Sequence, residues 1–123
     1  MLLAWRSAGL HRACESPTGL DRLWPPASAL TARSLLSAVV HADRLGELLQ
    51  YHSISHVLRE QVGHIVVTMR LEEVEMDAAP LTRAGRLLAP AADALRSNAI
   101  GTVTGLLVED LRARGVSLER AAG

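Results

Sequence analysis

Four side chains able to bind a metal or move a proton stand at regular spacing: His52, His56, Glu60 and His64. On a helix, residues four apart share a face, so this row could hold a metal from one side. The row also drifts around the helix axis, and the other half of a ligand set is missing. A hydrophilic stripe explains it equally well, so neither metal nor cofactor is expected. Cys14 is the only cysteine, which rules out an internal disulfide. A lone thiol becomes a nucleophile only in an electropositive setting, and the sequence shows none. No Ser/His/Asp or Cys/His set, carboxylate pair or phosphate loop stands out, and the expectation is a protein that is not an enzyme.

The same stretch also offers nucleic-acid chemistry. On a helix beginning near Ile54, Arg59 and His56 would face a major groove, with Ser53 and Ser55 at the helix N-terminus available to phosphate. These four residues are the candidate DNA-binding set. The alternative is a solvated helix face carrying an ordinary arginine.

The elements needed to position them follow from hydrophobic spacing. The chain has 123 residues, consistent with one domain, and 49% of it is apolar, mostly Leu, Ala and Val. That palette favours helices. Thirteen basic residues, all Arg, balance thirteen acids, so no global field draws the chain toward nucleic acid or an anionic membrane. Pro17, Gly19, Pro25 and Pro26 break the first 28 residues, which read as a flexible arm. No apolar run approaches the roughly 18 residues of a membrane span, and a cytoplasmic location is expected. From Ser28 to His41, Leu30, Leu35, Leu36, Val39 and Val40 recur at helical spacing. A second helix follows over "ADRLGELLQYH", with Asp43 placed to accept bonds from first-turn amides. A third runs from Ile54 to Gly63, and two short helices around a tight turn make helix-turn-helix geometry.

Residues 64–77 fork. At period two, Ile65, Val67, Met69 and Leu71 share a face, and Ile-Val-Val-Thr favours a strand. At steps of three and four, Ser55, Leu58, Val62, Ile65, Met69, Glu72 and Met76 line one long helix. Gly63 and the β-branched run oppose the helix. The lack of Gly, Pro or Asn between Met69 and Asp77 opposes a hairpin. The balance tips slightly to the strand. After Pro80, Thr82 reads as the N-cap of a helix carrying Leu87, Leu88 and Leu95, and "TVTGLLVEDLRARG" reads as a last helix with Val103, Leu106, Leu107 and Leu111 inward and Gly115 at its end.

"LTRAGRLLAPAADAL" resembles the Leu-Thr-x-x-Gly-x-x-Leu passage that follows the wing in winged-helix regulators of the MarR and HxlR families, and "RLGELLQYHSISHVLREQVGHIVV" is similar to their helix-turn-helix passage. The resemblance covers residues 43–96. It implies a mainly α winged helix-turn-helix with a short β wing over residues 29–115 and a C-terminal tail over 116–123. It further implies a homodimeric, DNA-binding transcriptional regulator whose partner is double-stranded DNA, responsive to a small-molecule effector that the sequence does not identify. Dimerisation would use Leu87, Leu88, Leu95, Leu106, Leu107 and Leu111. Glu72, Glu73, Glu75 and Asp77 would keep the wing off phosphate. The alternative is an all-α bundle serving as a non-enzymatic protein–protein interaction module.

Overall fold

A computed structural model describes residues 1–16, 18–89 and 100–122. The chain begins with a strand. β1 (Leu2–Trp5) is followed by α1 (Ala8–Glu15), α2 (Gly19–Leu23), α3 (Pro26–His41) and α4 (Leu45–Leu48). Then come β2 (Ser55–Gln61), β3 (His64–Leu71), β4 (Val74–Pro80), β5 (Gly105–Ala113), β6 (Val116–Ser117) and α5 (Leu118–Ala122). The mainly α winged helix is thus replaced by mixed α/β architecture: a six-stranded sheet with strand order β1-β5-β4-β3-β2, plus β6 against β5.

Local chemistry explains the sheet. β2 and β3 pair antiparallel from Gln61↔His64 to Ser55↔Arg70, joined by a two-residue turn in which Gly63 sits at φ 83. The fork at residues 64–77 resolves to strands, and Ile65, Val67 and Met69 enter the core as period two requires. The next turn uses Glu72 at φ 53, a left-handed conformation without glycine, and Arg70 Nε donates to the Glu72 carbonyl at 2.7 Å. That choice hid the hairpin from its usual composition signal.

β5 overturns the expected last helix. Its register with β4 passes from Asp77↔Asp110 to Ala78↔Val108, leaving Glu109 as a bulge. Core positions therefore fall at Leu106, Val108, Leu111 and Ala113. The break in alternation imitates helical spacing. Gly115 lies at φ 82 in the β5–β6 turn rather than behind a helix.

β1 pairs parallel to β5, so the strand at the start of the chain and β2 lie at opposite edges. The helical segment between them must cross the sheet, and α3 packs over β3 and β4. Its buried positions, Ser28, Ala29, Ala32, Leu35 and Val39, lie three or four apart, while Leu30 and Val40 are exposed. Pro26 starts this helix, where a missing N–H costs nothing. Residues 1–28, expected as an arm, hold β1, α1, α2 and the first turn of α3. The second helix shrinks to α4, and the capping runs the other way: the Asp43 amide donates to the Glu47 carboxylate at 3.2 Å. No described helix is long and apolar enough to cross a membrane.

Candidate interaction edge

β2 is the last strand of the sheet order, and each of its seven residues except Leu58 is exposed. Its pairing with β3 is unbroken along its length. Side chains alternate, with Leu58 packed against the core and His56 and Glu60 beside it on the same face. Val57 and Arg59 lie on the other face, beyond which a concavity of about 240 Å³ is lined by Val57, Arg59, Thr68, Glu75 and Arg112.

Among the described residues no strand pairs with the outer side of β2, and the direction of its outward backbone groups follows from one bond. The Ile65 amide donates to the Leu88 carbonyl at 3.2 Å, away from β2, so Glu60↔Ile65 is a pair without mutual hydrogen bonds. Alternation then aims the N–H and C=O groups of His56, Leu58 and Glu60 outward from the sheet.

Behind the edge, Asp77 on β4 joins four strands. It accepts from Thr68 Oγ1 at 2.7 Å, from Arg59 Nη2 at 3.4 Å and from both terminal nitrogens of Arg112. Burial opposes ionisation of Asp77, but hydrogen bonds from Arg112 and Thr68 and the charges of Arg112 and Arg59 outweigh it, holding the carboxyl below its ordinary value. The Asp77 bond and charge, with Glu75 and Asp110 at 3.8 Å, hold the Arg112 guanidinium above its ordinary value against burial. Asp110 also accepts from Ser117 Oγ at 2.8 Å and from the Glu119 amide at 3.0 Å, fixing the start of α5. A separate pair, His64 Nε2 and Glu109 Oε1 at 3.1 Å, ties β3 to the β5 bulge.

The expected DNA-binding residues are close together, but not on a helix. Ser53 lies in an exposed turn, Ser55 opens β2, and His56 and Arg59 point to opposite faces of that strand. Arg59 is committed to Thr68 and Asp77. Strand pairing with β3 overrides the helical spacing of 54–63. His52, His56, Glu60 and His64 lose their common helical face for the same reason. Among the described residues no group of three His, Cys, Asp or Glu side chains gathers for a metal.

The six expected dimerisation leucines separate. Leu106 and Leu111 are fully buried in the protein's own core, Leu88 is half-buried against it, and Leu107 is half-buried on the opposite side of β5. Leu87 is exposed and bridges Leu81, while Leu95 lies outside the described residues. Thr82 and Gly85 belong to a tight loop rather than to a helix start. The Thr82 amide donates to the Arg86 carbonyl at 2.7 Å, and Gly85 sits at φ 79. Among the described residues no atom stands within 4 Å of an added Cβ, so backbone conformation, not close approach, requires this glycine.

A second cavity of about 360 Å³ lies between β1, α1 and α3, with Trp5 and His11 stacked at 5.0 Å. Cys14 lines it, and burial pushes its thiol up to about 12, the reverse of nucleophile activation. Sequence reasoning missed the edge strand and the Asp77 cluster. The alternation of His56, Leu58 and Glu60 with Val57 and Arg59 was the available signal, and one half-buried leucine made it faint. Comparison with protein-family models, curated proteins and solved structures finds no match for this chain.

Proposed function

We propose that the protein is a non-enzymatic interaction module that takes an extended partner strand onto β2. The observation carrying this reading is the seven-residue edge itself, which is exposed, unbroken and terminal in the sheet. An edge of this kind presents a row of free backbone donors and acceptors, and strand addition satisfies them while side-chain alternation supplies specificity. Asp77 supports the role by tying Arg59 on β2 to Thr68 on β3 and Arg112 on β5, which stiffens the edge before a partner arrives.

Selection of random displayed peptides against the full chain at low protein concentration, followed by hydrogen exchange on the selected complexes, tests the reading. Bound peptides are expected to slow exchange at the amides of His56, Leu58 and Glu60. His56→Pro, which removes an outward N–H at an edge where proline is tolerated, should abolish binding without changing the circular dichroism spectrum. A selection that yields no peptide, or peptides that protect other elements, overturns it. The DNA-regulator function has no recognition helix to carry Ser53, Ser55, His56 and Arg59. Titrating a labelled duplex at about 50 and 200 mM salt tests it directly, since phosphate contacts weaken steeply with salt.

A further inference from the structure

An edge strand that binds any exposed strand is an aggregation hazard, and proteins blunt such edges with proline, bulges or inward-pointing charge. β2 has no proline, and its register with β3 contains no shift. It does carry His56 and Glu60 beside Leu58 on the core-facing side. These two polar side chains penalise a foreign strand that leaves them opposite apolar or like-charged groups. Their spacing about Leu58 is symmetric, and that symmetry defines a strand that would satisfy both.

Resting on the strand-addition reading, we infer that the partner of β2 is β2 of a second copy, antiparallel, with Leu58 of each copy on the two-fold axis. In this register Leu58 faces Leu58, His56 faces Glu60, Val57 faces Arg59 and Ser55 faces Gln61. The His56–Glu60 pair therefore occurs twice across the axis, and each valine lies against the aliphatic stem of an arginine. The backbone agrees with the side chains. His56, Leu58 and Glu60 aim their N–H and C=O groups outward, and in this register all three occupy hydrogen-bonded pairs with one another. The result is a continuous sheet across an isologous interface, with both helical layers on the same side.

Neighbouring registers fail on named contacts. Moving the axis to Arg59 sets Arg59 against Arg59. Moving it to Val57 sets His56 against Leu58 and Glu60 against Ile54, whose side chain is buried and whose amide already donates to the Tyr51 carbonyl at 3.2 Å. A net charge of zero leaves no global repulsion between copies. One seven-residue strand on each side is small beside the roughly 1,200–2,000 Å² of a standard interface, so a weak, concentration-dependent dimer is expected.

The test uses the full chain. Sedimentation over a wide concentration range should show a monomer–dimer equilibrium, weakened at least tenfold by His56→Glu and restored when Glu60→His is added. In a Cys14→Ala background, Leu58→Cys should oxidise to a covalent dimer, because paired Cα atoms lie about 5.5 Å apart. Glu60→Cys should not, because its two copies would be roughly 14 Å apart along the strands. Should Leu58→Cys disturb folding, the double variant His56→Cys with Glu60→Cys leaves Leu58 in place and should cross-link in the same register. A chain monomeric at every concentration overturns the second copy as partner, while the peptide selection still decides strand addition on its own. A dimer locked by Glu60→Cys and not by Leu58→Cys overturns it as well.

Discussion

Asp77 is the residue on which the polar side of the sheet turns, because it is the shared acceptor for Arg112, Thr68 and Arg59. Its folded-state pKa lies below the unfolded value, so its contribution is whole above about pH 4 and fades as pH falls through the folded value. Asp77→Asn should lower stability by about 1–2 kcal/mol at neutral pH, with the difference from wild type shrinking on acidification. Urea unfolding at several pH values checks this, and a loss that does not vary with pH would refute it. Cys14 was legible as unreactive only in part. Its uniqueness is a matter of composition, but the burial that pushes the thiol up to about 12 comes from packing between α1 and the core.

At the scale of elements, two turns carry left-handed residues other than glycine. Glu72 sits at φ 53 between β3 and β4, and Arg114 at φ 52 precedes Gly115 at φ 82 between β5 and β6. Left-handed backbone costs an ordinary residue roughly 1–2 kcal/mol, and Asn-Gly is the preferred pair where both turn residues have positive φ. Arg114→Asn should therefore raise stability by about 0.5–1 kcal/mol, read as a higher denaturant midpoint at unchanged slope. Gly85→Ala should do the reverse, since its φ of 79 strains any side chain although space is open around it. Composition did not locate the β3–β4 turn, where Glu72 stands, it took Gly115 of the β5–β6 turn for a helix end, and it did not locate the bulge at Glu109. Turn residues were sought as Gly, Pro or Asn, and the bulge shifted the core phase of β5 by one residue.

For the molecule as a whole, the decisive fact is that Leu106 and Leu111 are fully buried on the central strand β5, which pairs with β4 on one side and with β1 and β6 on the other. Leu106→Ala and Leu111→Ala should each cost about 2–4 kcal/mol of folding stability at protein concentrations where only monomer is present. A variant that retained monomer stability and lost only association would restore the reading of these leucines as a dimer seam. The edge at β2 stands apart from this core. Substitutions at His56 and Glu60 should leave unfolding midpoints within about 0.5 kcal/mol of wild type while changing association.

Several features were legible in the sequence alone: zero net charge, a single thiol, a helix reaching His41 though read as starting near Ser28 rather than Pro26, and the strand face of Ile65, Val67 and Met69. The first three depend on composition or on a clear local period, while the strand face was favoured only slightly over a long helix. Tertiary structure decided the rest. Residues 55–61 and 105–113 hold good helix formers at helix-like spacing, and they became strands because β3 and β4 offered unsatisfied backbone edges beside them. The Asp77 cluster joins three successive strands to β5, and it assembles only when Arg112 pairs in from 35 residues away, so no local pattern announces it. The exposed edge of β2 is likewise a property of strand order, which emerges only when the sheet is assembled.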